Sequence, residues 1–129
     1  MTTAFLIGRI IFAVYWLIAA YAHLFKSSHM IGYASSKGVK SAKIAIIGTG
    51  ILLLLGGLFL LLGIYVQIGI ILLIIFLLGV SFKMHAYWKE TDPMARMGDH
   101  INFWKNMALV GALLMLLAIP LPWAFSMGW

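Results

Sequence analysis

Long apolar runs alternate with two polar blocks, and that rhythm predicts the architecture. "AFLIGRIIFAVYWLIAAYAHLF", Ala4 to Phe25, holds 22 residues. As a helix rising about 1.5 Å per residue, it crosses a hydrocarbon core of roughly 30 Å. "KSSHMIGYASSKGVKSAK", Lys26 to Lys43, is rich in Ser, Gly and Lys and reads as a loop with a short interfacial helix. From Ile44 to Phe82 the chain is almost continuously apolar. One helix of that length would run about 58 Å, close to two bilayer cores, so a break is required. It is placed at "GIYVQIG", Gly63 to Gly69, where glycines flank the only amide side chain of the stretch. Two helices follow, about 44–62 and 66–84, joined by a tight turn.

The second polar block, "KMHAYWKETDPMARMGDH", runs from Lys83 to His100. Asp92-Pro93 is a helix-start signal, a capping carboxylate followed by proline at the first helical position. A short helical turn over Met94 to Met97 is expected to stop near Gly98. Asp99 then caps the last span, about 100–119. Pro120 and Pro122 end that span, and "PWAFSMGW" is expected to form a wet or interfacial tail. The expected fold is therefore all-α: an integral membrane four-helix bundle, a single domain over residues 1–129.

Composition supports the bilayer as solvent. Hydrophobic residues make up 64% of the chain and charged residues only 9%, whereas soluble domains are near one quarter charged. The mean hydropathy is +1.09. No Lys or Arg precedes the first apolar run, which is also longer than a signal-peptide core, so it reads as a retained span despite the "AYA" at Ala20 to Ala22. The net charge of +6 reports orientation rather than nucleic-acid binding. Lys26, Lys37, Lys40, Lys43, Lys83, Lys89, Arg96 and Lys105 fall on one side of a four-span topology, and Arg9 alone falls on the other. The positive-inside rule then places the loops at 26–43 and 85–99 in the cytoplasm and both termini outside, in a cell (inner) membrane.

Four stretches carry a family resemblance: "GRIIFAVYWLIAAYAHL", "MIGYASSKGVKSAKIA" with "LLLLGGLFLLLGIY", "MHAYW", and "NFWKNMALVGALLML". Together they resemble the DoxX family of small four-helix bacterial membrane proteins. The resemblance implies a membrane subunit or adaptor of a redox, quinone-linked system, because DoxX-like proteins include a membrane subunit of a thiosulfate:quinone oxidoreductase. It does not by itself make the chain an enzyme. With no cysteine, thiol relays and thiolate metal sites are excluded.

The residues that could carry chemistry cluster on the loop side. His23 closes the first span, His85 closes the third and His100 opens the fourth, with Tyr87, Trp88 and Trp104 near the same depth. One reading leaves these rings at the headgroup level, as amphipathic side chains. Another makes the histidines a proton-delivering cluster at the mouth of a quinone site. A bis-histidine haem is the least favoured reading, since the sequence has no haem signature.

Arg9, Phe12, Trp16, Ala19 and His23 recur at helical spacing and share a stripe. Arg9 either snorkels outward or faces the bundle, where it would suit a quinone carbonyl, a lipid phosphate or a small oxyanion. Asp99, Asn102 and Asn106 share one arc of the last helix. Asn106 is expected to bond to a neighbouring helix first and to a ligand second. The candidate catalytic residues are thus His23, His85 and His100. The candidate ligand contacts are Arg9, Trp16, Trp88, Trp104 and Asn106, and no metal site is expected. The expected partners are the lipid bilayer and a protein partner or second copy. The rival function is a non-catalytic scaffold or assembly subunit of a larger membrane complex.

Overall fold

The structure, a computed structural model, describes residues 2–127, and no strand occurs among them. The helices are α1 (Thr2–Phe25), α2 (Ser28–Ser36), α3 (Ala42–Leu62), α4 (Val66–Met84) and α5 (Pro93–Leu117), with a 3-10 turn at Tyr87–Lys89 between the last two. Helices α1, α3, α4 and α5 are long and apolar enough to cross a membrane. Their outward faces carry Ile11, Ile18, Ile44, Ile75 and Leu114, all well exposed. A surface this apolar is stable against lipid, not water.

The helices pack in series: α1 on α3, α3 on α4, and α4 on α5. Glycines permit the two central contacts. A Cβ at Gly57 would lie 2.9 Å from Leu17 Cδ2 on α1, and one at Gly56 would lie 2.6 Å from Leu73 Cγ on α4. Small residues let helix backbones approach closely where lipid supplies no hydrophobic driving force. Gly48, Gly79 and Gly111, by contrast, have nothing within 4 Å of a Cβ. The core between these helices is Ala13, Trp16, Leu53, Ile70, Leu73, Leu77 and Leu113.

The expected break between the second and third spans falls at Gly63 to Tyr65. Gly63 ends α3 with φ 70, the left-handed value that favours glycine, and a Cβ there would also meet Ser126 at 2.5 Å. The short helix expected in the first loop is α2.

Two boundaries differ from the sequence reading. The fourth helix runs over Pro93–Leu117 rather than 100–119, because Gly98 does not stop it. Asp92 accepts a hydrogen bond from Ala95 N at 2.9 Å with proline behind it, so one cap starts the whole helix. A mid-helix glycine costs about 1 kcal/mol, too little to break a helix that the bilayer favours. Asp99 therefore lies inside α5 and caps nothing. The tail after Pro120 is also not simply interfacial. It returns over the end of the bundle, burying Trp123, and Met127 N donates to Leu62 O at 2.9 Å.

Serial packing leaves the flank between α1 and α5 with few close backbone contacts or none. Two clefts lie along that flank, one toward the polar loops and one toward the termini.

Candidate functional site

The loop-side cleft has a volume of about 430 Å³. Helix α1 supplies Trp16 and His23, the residue that caps the end of α4 is His85, and α5 supplies Asn102, Lys105 and Asn106. The stripe read from α1 is therefore a facing surface: Trp16, Ala19 and His23 turn to this cleft, and Arg9 and Phe12 to the other.

Each imidazole has one nitrogen committed to a hydrogen bond. His23 Nδ1 lies 2.9 Å from Ala19 O. A carbonyl only accepts, so Nδ1 carries the proton and Nε2 is the acceptor nitrogen. His85 Nδ1 lies 3.1 Å from Asp99 Oδ1 and donates to that carboxylate, which in the neutral ring leaves Nε2 as the acceptor.

Asp99 is buried, and it binds a second partner. Lys37 Nζ, at the end of α2, lies 2.7 Å from Asp99 Oδ2 and 2.7 Å from Glu90 Oε1. Burial works against the Lys37 ammonium, but its hydrogen bonds to Asp99 and Glu90 outweigh that and hold its pKa above the ordinary lysine range. Lys37, Asp99 and His85 thus form a continuous hydrogen-bonded chain from the loop into the cleft.

Two further polar groups of the cleft are unsatisfied. Trp16 Nε1 is buried without a hydrogen-bond partner. Asn106 is 6% exposed, and among the described residues its amide makes no hydrogen bond. The expected bond from Asn106 to a neighbouring helix is therefore not formed, and the amide lines the cleft instead. Buried polar groups normally find partners, so these two are departures from the usual pattern.

The structure does not bring every sequence candidate here. His100 is exposed and its ring sits 4.6 Å from that of Tyr87. Trp88 and Trp104 are about half exposed and border Phe103 at 5.5 and 5.4 Å. These rings form an aromatic group on the outer side of α5, away from the cleft lining. Arg9 is fourteen residues from His23 on one helix, about 21 Å along its axis, so the two cannot serve one head group. Arg9 also does not snorkel. It is buried, and its Nη1 and Nη2 donate to the carbonyls of Ala124 and Phe125 at 2.7 and 2.8 Å.

Sequence reasoning missed Lys37 and Glu90, along with His29, Met30 and Tyr33 of α2, which line the cleft from the loop. The arc of Asp99, Asn102 and Asn106 was the available signal. No group of three His, Cys, Asp or Glu suited to a metal ion occurs among the described residues.

Helix order, apolar exterior and a polar cluster at one end define a multi-pass membrane helical bundle. The DoxX family model matches residues 4–86, more than half of the chain, and the chain belongs to the DoxX family. The match takes in α1 to α4 and ends before α5. No curated protein and no solved structure matches the chain.

Proposed function

We propose that this DoxX-family protein is a membrane subunit or adaptor of a quinone-linked redox system, with the ring held in the loop-side cleft. The observation that carries this reading is the pairing of the orphaned Trp16 Nε1 and the Asn106 amide with two imidazoles in one cleft. An indole N–H and an amide N–H can donate to ring carbonyl oxygens, and the flat walls of Trp16 and Phe76 suit a planar body. A bound quinone supplies the carrier of electrons and protons, and the electrons come from a protein partner.

The chain's own residues handle the proton. His85 is oriented by Asp99, which is in turn held by Lys37, so its ring keeps one tautomer and presents Nε2 as a proton acceptor. His23, tied to Ala19 O, does the same from α1. Arg9 belongs to the other cleft, and His100, Trp88 and Trp104 act at the membrane interface in this reading. The eight basic residues on the loop side support an inner-membrane protein with loops 26–43 and 85–99 in the cytoplasm.

The test is mass spectrometry, with an absorption spectrum, of the protein purified with its native lipids. The expected result is a quinone retained by wild type, reduced several-fold in Asn106→Leu and His85→Ala, and unchanged in His100→Ala. A haem band would assign the imidazoles to iron instead. A protein partner in fixed ratio, with no small molecule and no effect of these substitutions, would make the chain a scaffold.

A further inference from the structure

The termini-side cleft is unused by that reading, and it is the larger, at about 530 Å³. Its walls are apolar, including Phe5, Phe12, Leu60, Met115 and Leu116, with Arg9 and Trp123 set among them. Arg9 is 6% and Trp123 3% exposed. Arg9 Nε and Trp123 Nε1 are both buried without a hydrogen-bond partner. Two residues that line one apolar cleft thus each hold an orphaned N–H donor.

The guanidinium is fixed in place before any ligand arrives. Its Nη1 and Nη2 are anchored on Ala124 O and Phe125 O, and its carbon lies 6.0 Å from the Phe5 ring and 5.8 Å from the Trp123 ring. The charge itself remains uncompensated among the described residues. Glu90, Asp92 and Asp99 all belong to the opposite end of the bundle, so Arg9 meets only carbonyl dipoles and ring faces. A desolvated cation is costly unless an anion joins it. A neutral quinone carbonyl would satisfy an N–H but leave that charge unpaired. Arg9 is seven residues from the start of α1, about 10 Å along the helix, and so lies toward the termini side of the bundle.

We propose that this cleft binds an anionic amphiphile. Its head oxyanion accepts from Arg9 Nε and Trp123 Nε1, and its apolar chain lies along Phe12, Met115 and Leu116. A phospholipid phosphate and a fatty carboxylate share this chemistry.

The experiment uses the full chain, delipidated in detergent and offered phosphatidylglycerol, oleate or dioleoylglycerol, with retention read by native mass spectrometry. We expect one anionic amphiphile per chain, retained at least tenfold over dioleoylglycerol, and whichever of the two is retained identifies the head group. Trp123→Phe keeps the ring but removes its N–H, and should cut retention several-fold with little change in thermal stability. Arg9→Gln should cut it further. Equal retention of dioleoylglycerol, no retention at all, or full retention in Trp123→Phe together with Arg9→Gln would each overturn the proposal. Should Arg9→Gln not fold, Trp123→Phe alone decides. Quinone retention in the other cleft is untouched by Trp123→Phe, so the two readings fail separately.

Discussion

Lys37 Nζ lies 2.7 Å from Asp99 Oδ2, joining the loop after the first span to the start of the last. The same ammonium holds Glu90 at 2.7 Å, so one cation ties α2, the 3-10 turn region and α5 together. This latch fixes the carboxylate to which His85 is hydrogen-bonded.

Breaking the latch should be costly. Lys37→Met leaves Asp99, whose side chain is 5% exposed, with His85 as its remaining partner. Fully buried broken pairs cost about 3–5 kcal/mol. With 18% of the Lys37 side chain exposed, a loss of about 2 kcal/mol is expected, read as a lower unfolding temperature in detergent. A Tm equal to wild type would show that the pair is screened and adds nothing.

The pH dependence of that loss follows from the raised Lys37 pKa. A cation whose pKa rises on folding adds stability that is fully present below its unfolded value, about 10.4, and fades only as pH climbs through the higher folded value. The Tm difference between wild type and Lys37→Met should therefore stay constant from about pH 7 to 10. A difference that shrinks across this window would mean that Lys37 is losing its proton early.

Glycines that look alike in sequence should respond in opposite ways. Gly56→Ala places a Cβ 2.6 Å from Leu73 Cγ and 3.2 Å from Gly69 O, which overpacks the α3–α4 seam at about 1–3 kcal/mol. Gly111→Ala meets nothing within 4 Å and should stabilise α5 by up to about 1 kcal/mol through helix propensity. Paired thermal unfolding of the two variants checks both signs.

Arg9 should hold the tail closed. Its two charge-assisted bonds to Ala124 O and Phe125 O each contribute about 1.5–3 kcal/mol. In Arg9→Leu, hydrogen exchange over residues 123–127 should accelerate by tenfold or more, while amides at the α3–α4 contact keep their protection. Uniform acceleration across the chain would instead mean that Arg9 supports the whole bundle.

Much of this was legible in the chain. The turn at Gly63 to Tyr65 and the bounds of α4 follow from an apolar run too long for one bilayer crossing. The cap at Asp92 is written in an Asp-Pro pair. The facing stripe from Arg9 to His23 is written in helical spacing. The polar arc of α5 was also visible, but not what it meets. Asp99 read as a cap because Gly98 read as a stop, and a single glycine carries too little free energy to decide that against a longer helix.

The sequence by itself determined the number of spans, the gathering of basic residues on one side and the family. These depend on hydropathy along the chain, which is a local property. Only the tertiary structure decided that α1 packs on α3 rather than closely on α5, so that one stripe serves two clefts. It also decided that His85 and His23 share the loop-side cleft while His100 does not, and that a lysine from the first loop reaches a carboxylate sixty-two positions later. Those outcomes depend on which helices the glycines of α3 let come close, and no periodicity along a single helix contains that information.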